Sequence, residues 1–208
     1  MSAAILTPPP VITRPQSQAT PSPSPWKWTR EDLIRLYDLG FFDGQRVMLI
    51  DGEVLAMSPM KEPHARGIVF SLQALERVFS GQYTFRSQMP MDLGKTTDPE
   101  PDVAVIDGSP RSQASNPPTT ALLVVEVADS SLTYDLGDKA NLYAAAGIAD
   151  YWVLDVANQR LHVLRDPRRD TTQRFGHIYS QKQILLPTER IAPLAAPGGF
   201  ILVSDLLP

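Results

Sequence analysis

A chain of 208 residues, 43% hydrophobic and 20% charged, is the size of one ordinary domain with a sizeable core, and it contains no apolar run long enough to cross a bilayer. Its net charge of -4, from 19 basic and 23 acidic side chains, argues against avid nonspecific binding to nucleic acid, though a locally basic groove is compatible with it. The lack of cysteine excludes disulfides, thiolate nucleophiles and cysteine-ligated zinc, and His64, His162 and His177 do not have the spacing of a nitrogen-rich zinc site.

The N-terminus, MSAAILTPPP, has no charged n-region and meets prolines too early for a secretory h-region, so no export is expected and the expected location is cytoplasmic. Residues 1–25 are rich in Pro, Ser, Thr, Ala and Gln, a composition that cannot build a core and predicts a flexible, partly polyproline tail. Residues 26–208 form the predicted domain. WTREDLIRLYDLG predicts its first helix, with Thr29 as N-cap, Asp32 in the capping-box position, Leu33, Leu36 and Leu39 at helical spacing, and Gly40 at the exit. Two short apolar runs around Asp51-Gly52 predict a hairpin with strands near 46–50 and 53–57. HARGIVFSLQALERVFS then places Ile68, Leu72, Leu75 and Phe79 on one face of a helix ending at Gly81.

YTFRSQMPMDL and PEPDVAVID read as strands, the second entered through prolines. ALLVVEVA is continuously apolar apart from Glu126, as expected of a strand covered on both faces. A helix over about 136–146 follows, with Asp135 as N-cap and Gly147 at the exit. DYWVLDVANQRLHVLRD gives two more strands joined by a short turn, and the segment containing Pro187, Pro193, Pro197 and Gly198-Gly199 reads as short strands and loops. This order of elements predicts an α/β domain with a mixed sheet.

Within that scheme Glu126 is out of place, because a lone charge in a core strand costs several kcal/mol unless something pairs with it. Strand alternation puts Asp102, Ala104 and Ile106 on one face, and Val124, Glu126 and Ala128 on one face of the next strand. Side by side, the two strands bring two acids together. Carboxylates about 4 Å apart repel by roughly 4 kcal/mol at an effective dielectric of 20, so a proton or a cation must sit with them. Oxygen-only ligands and no thiols point to Mg²⁺, or Mn²⁺ as its substitute. Lys139, on the helix after the Glu126 strand, can fold back to orient a water or stabilise developing negative charge.

IDGEVLAMSP with the following His64, PEPDVAVI, LLVVEVADSS and DLGDKANLYAAAGIADYWVLD resemble, in order and spacing, the Uma-two putative restriction endonuclease family of the PD-(D/E)XK nuclease superfamily. The similarity runs from about Trp28 to Arg165. It implies a restriction-endonuclease-like core, a mixed central β-sheet flanked by helices, and Mg²⁺-dependent hydrolysis of phosphodiester bonds in DNA. Pro101-Asp102 match the PD element and Glu126 the acidic position. The superfamily's lysine would stand at Ala128, a departure; the Uma-type pattern has it on the next helix, where Lys139 lies. Glu53 matches the family's hairpin glutamate and His64 its histidine near the first core helix. On this reading Asp102, Glu126 and the Val127 carbonyl hold the ion, Glu53 adds to its shell directly or through water, and Lys139 positions the nucleophile.

Each residue also has a plainer explanation. Asp102 could cap a loop, Glu126 could pair with arginine on an edge, Lys139 could pair with Asp135 four residues earlier, Glu53 could flank the turn, and His64 could cap its helix. Tyr143 reads as core. Arg165, Arg168, Arg169 and Arg174 make the densest positive segment and are candidate phosphate contacts, or a solvated loop. The alternative function is a catalytically silent nuclease-fold module that binds nucleic acid or a protein; a glycosidase fits poorly, since aromatic content is only 8%. DNA is the expected partner, no membrane is expected, and a homodimer would suit double-strand cuts.

Overall fold

The computed structural model describes residues 23–112 and 115–208, so the tail expected over residues 1–25 lies, but for its last three, outside the described residues. Helix α1 (Arg30–Asp38) opens on the expected capping box: the Asp32 amide donates to the Thr29 hydroxyl and the Thr29 amide to the Asp32 carboxylate. Strands β1 (Val47–Ile50) and β2 (Glu53–Ala56) form the expected hairpin. Asp51 and Gly52 both take positive φ, 49° and 75°, as a two-residue turn of this hand requires. Helix α2 (Glu62–Val78) begins two residues before His64, with Pro63 in its first turn, where the missing N–H costs nothing.

Six strands make the central sheet, in the order β3 (Tyr83–Arg86), β4 (Val103–Asp107), β5 (Leu123–Ala128), β6 (Asp150–Asp155), β7 (Arg160–Arg169) and β8 (His177–Leu185). Only β5 and β6 run parallel; every other neighbouring pair is antiparallel. The sheet is therefore mixed, with helices on both faces. A short ribbon of β9 (Arg190–Ile191) and β10 (Ile201–Leu202) closes the C-terminal segment.

The strand alternation sorts the core into two layers. Val103, Val105, Val125, Val127, Trp152 and Leu154 face α2 and the C-terminal residues Ile201, Val203 and Leu206. Ala104, Val124, Ala128, Tyr151 and Val153 face the helical segment between β5 and β6, through Ala140, Tyr143 and Ala144. All six residues of β5 are buried, as its sequence predicts. Helix α2 approaches this strand closely: a side chain at Gly67 would put its Cβ 2.7 Å from a Val127 methyl. Gly67→Val should therefore lose about 2–3 kcal/mol, measured as a lower urea midpoint, since overpacking against a stiff β-branched neighbour outweighs any gain in helix propensity.

Three elements differ from expectation. The segment after Tyr83 pairs as a ladder only to Arg86; beyond it the chain runs beside Pro99 and Pro101, which have no N–H to give. The helix expected from Leu136 begins a turn earlier, as α3 (Leu132–Tyr134), widens into a π-helical turn (Asp135–Lys139) and continues as α4 (Ala140–Ala145). Asp135 is thus inside the helix rather than its N-cap, because its side chain turns inward to Ser131 and Lys139. Finally, the arginine-rich stretch is partly strand: β7 runs to Arg169, and the β7–β8 hairpin reaches back to the β1–β2 hairpin through Arg174.

Candidate active site

Continuing the register that pairs Val103 with Val125 and Ala104 with Val124 sets Asp102, just before β4, opposite Glu126 on β5. Both acids are buried, at 7% and 1% exposure, and both line one cleft of about 640 Å³. The cleft is walled by Met48, Leu55 and Met57 of the hairpin and its exit on one side, and by Ser131, Asp135 and Lys139 on the other. Asp102 is fixed at both oxygens. The Val127 amide donates to Oδ2 at 2.8 Å, and His64 Nε2 lies 3.0 Å from Oδ1.

Glu126 finds its pairing group within the chain. Lys139 Nζ stands 2.9 Å from Oε2, and the buried Tyr143 hydroxyl donates to Oε1 at 2.8 Å. The expectation that a metal ion must offset this burial is accordingly revised: the ammonium supplies part of the compensation. Lys139 also lies 3.3 Å from Asp135, so its two readings are both realised. Three carboxylates (Asp102, Glu126, Asp135) thus share one cleft with one ammonium and one imidazole.

The proton positions follow from this imbalance. Burial pushes the Glu126 carboxyl up, to about 8, with Lys139 opposing and the neighbouring acids reinforcing the shift. Burial by itself would push Lys139 down, but Glu126, Asp135 and Asp102 outweigh it and hold the ammonium well above its ordinary range. For Asp102 burial works upward, yet the His64 hydrogen bond and charge, with Lys139, bring it below the usual carboxylate range. His64 is raised, first by its hydrogen bond to Asp102 and against its own burial. The folded state therefore keeps a proton on Glu126 that an exposed glutamate, near 4.5, would lose. This contribution to stability is complete below about 4.5 and fades as pH rises through about 8. The urea midpoint of the metal-free wild type should fall across that interval relative to Glu126→Gln; parallel pH profiles for the two proteins would contradict the assignment.

The other expected site residues fall elsewhere. Glu53 does not line the cleft; its carboxylate, 54% exposed, pairs with Arg174 at 2.9 Å, and Arg174 in turn reaches Asp138 at 3.1 Å. Arg165 is withdrawn as a phosphate contact, because its guanidinium is committed to the fully buried Asp150, at 2.7 Å, and to the Ala192 carbonyl. Arg168 pairs with Asp166 at 2.9 Å, and neither it nor the exposed Arg169 lines the cleft. The basic groups at the cleft are instead Arg46, paired with Glu100, Lys61, beside Asp129, and Lys139.

Three site residues went unrecognised in sequence. Tyr143 was read as core, and it is, yet its hydroxyl serves Glu126. Its position four residues after Lys139, on the same helical face, was the available signal. Asp135 was read as a cap, and Gln88, whose amide lies 3.4 Å from Asp102, carried no signal at all.

Among the described residues no group of three or more His, Cys, Asp or Glu is placed to hold a metal ion. The donor chemistry nevertheless suits a hard divalent cation, which takes one or two carboxylates and keeps several waters. Asp102 and Glu126 supply the two carboxylates, and each of their oxygens has lone pairs beyond the bonds above. Val127 gives its amide toward Asp102, and a residue in an extended strand turns its carbonyl to the same edge.

A mixed six-stranded sheet carrying an acid on each of two adjacent strands, with helices on both sides, is a nuclease-type α/β fold. A crystal structure described as a putative nuclease belonging to DUF820, from Anabaena variabilis ATCC 29413, superposes with a TM-score of 0.64 at 13% identity, covering 86% of this chain and 96% of that one. The Uma2 family, described as "Putative restriction endonuclease", matches residues 30–203, and the chain belongs to that family. No curated protein matches it. None of the described helices is long and apolar enough to cross a membrane.

Proposed function

We propose that the protein is a metal-dependent endonuclease acting on DNA. The carrying observation is the convergence, in one cleft, of two buried acids on adjacent strands and a lysine 2.9 Å from one of them. Asp102, Glu126 and the Val127 carbonyl would hold Mg²⁺, with Mn²⁺ as its substitute; such an ion neutralises charge on a scissile phosphate and acidifies water. Glu53, at the far end of the hairpin, would act only through water or after moving.

The chain's own groups set the geometry. Val127 and His64 fix the plane of the Asp102 carboxylate, and Tyr143 pins one oxygen of Glu126. Lys139 keeps its proton, so it offers a positive charge and three donors to an attacking water or a phosphate oxygen. His64, raised by Asp102, adds a second positive group at the cleft. Arg46 and Lys61 stand at its rim, where a phosphate backbone would exchange with Glu100 and Asp129 for them.

The test is plasmid nicking in Mg²⁺, Mn²⁺ or EDTA. Cleavage supported by either ion and lost in EDTA is expected; equal cleavage in EDTA would overturn the metal dependence. A silent binding module is favoured by one observation, that each basic side chain lining the cleft already has an acidic partner. DNA retention without cleavage under any ion would decide for it.

A further inference from the structure

We propose that Asp135 is a positioning residue for Lys139: its buried carboxylate receives the ammonium when a divalent ion draws on Glu126, and so keeps the lysine in the cleft. This rests on the metal-dependent reading above. The Lys139 ammonium stands between two carboxylates, 2.9 Å from Glu126 Oε2 and 3.3 Å from Asp135 Oδ1. Asp135 is 1% exposed and lines the cleft, and its Oδ1 has no hydrogen-bond partner. A buried carboxylate oxygen left so is costly unless a donor comes to it.

The rest of Asp135 is fixed. Its Oδ2 accepts from the Ser131 hydroxyl, and its backbone carbonyl accepts from the Tyr151 hydroxyl at 2.8 Å. The free oxygen is therefore aimed, not mobile. A divalent ion at Glu126 would compete for the carboxylate that Lys139 now uses, and would repel the ammonium. Lysine has a flexible four-carbon stem and a strong preference for water. Without a second anion it would leave the cleft; with Asp135 it needs only a short shift to an acceptor already oriented. At Ala128, where the superfamily pattern would put its lysine, there is only a buried methyl group, so Lys139 has no substitute.

Crystals of the full chain grown with Mn²⁺ test the shift directly. We expect Lys139 Nζ at ordinary hydrogen-bond distance from Asp135 Oδ1 and displaced from Glu126. In solution, Asp135→Asn should bind Mn²⁺, followed by calorimetry, within about threefold of wild type, while kcat for nicking falls about tenfold or more at unchanged KM. The same substitution added to Lys139→Met should cause no further loss. Lys139 remaining on Glu126 in the Mn²⁺ crystal overturns the proposal, as does a full additional loss in the double variant. A parallel loss of Mn²⁺ affinity in Asp135→Asn would make Asp135 a ligand and overturn it as well. Should Asp135→Asn not fold, the wild-type crystal decides alone. Failure of wild type to bind Mn²⁺ removes the metal-dependent reading and this one with it, whereas bound Mn²⁺ with an unmoved lysine removes this one only.

Discussion

Asp102→Asn should slow plasmid nicking by about a thousandfold or more while leaving the protein folded. The amide keeps the shape of the side chain and an oxygen for the Val127 N–H, which sits 2.8 Å from Oδ2 in the wild type. What it removes is the charge. Asp102 is the acid that His64 and Lys139 keep ionised, and it faces Glu126 across the strand pair, so its loss takes away the anion that a cation would find ready. The measurement is single-turnover nicking at saturating Mg²⁺, with the thermal midpoint recorded beside it. A rate within threefold of wild type at an unchanged midpoint would dismiss this pair of acids as the centre of the chemistry.

Asp150→Ala should act on the fold instead, lowering stability by about 3–5 kcal/mol, the usual result of stripping one partner from a buried charge pair. Asp150 is fully buried and accepts four hydrogen bonds at its two oxygens: two from the Arg165 guanidinium at 2.7 and 3.2 Å, one from the Trp152 indole at 2.8 Å, and one from the Leu194 amide at 2.8 Å. Removing the carboxylate leaves all of these donors without it, and they tie β6, β7 and the C-terminal segment together. Urea denaturation should show a lower midpoint with an unchanged slope. Arg165→Ala should share that loss, while DNA binding by its folded fraction stays at the wild-type level. A selective loss of DNA binding at wild-type stability would restore Arg165 as a phosphate contact.

The sequence was most legible where one local rule sufficed. The Thr29–Asp32 capping box, the Asp51-Gly52 turn and the buried β5 run follow from capping, turn chemistry and unbroken hydrophobicity. The facing of Asp102 and Glu126 also followed, since a strand period of two leaves only one way to hide the valines on either side. Strand β8 was not legible: most of HIYSQKQIL is solvent-facing on a sheet edge, so it has no apolar alternation to read. Nor was the fate of Arg165 or Glu53, because each is decided by a partner far along the chain, Asp150 or Arg174. The N-cap reading of Asp135 failed for a similar reason. Asp before a helical run is a good cap signal, but a buried lysine beside it outbid the backbone for the carboxylate.

The wide turn over Asp135–Lys139 has a consequence for the numbering of the site. In a regular helix each residue advances the side chain by about 100° around the axis. Wound regularly from Leu132, the same residues would carry Lys139 to another side of the cylinder, out of reach of Glu126, although both acids would be untouched. A single-residue insertion or deletion between Leu132 and Lys139 is thus a phase error, one that silences the cleft while sparing every group that lines its floor.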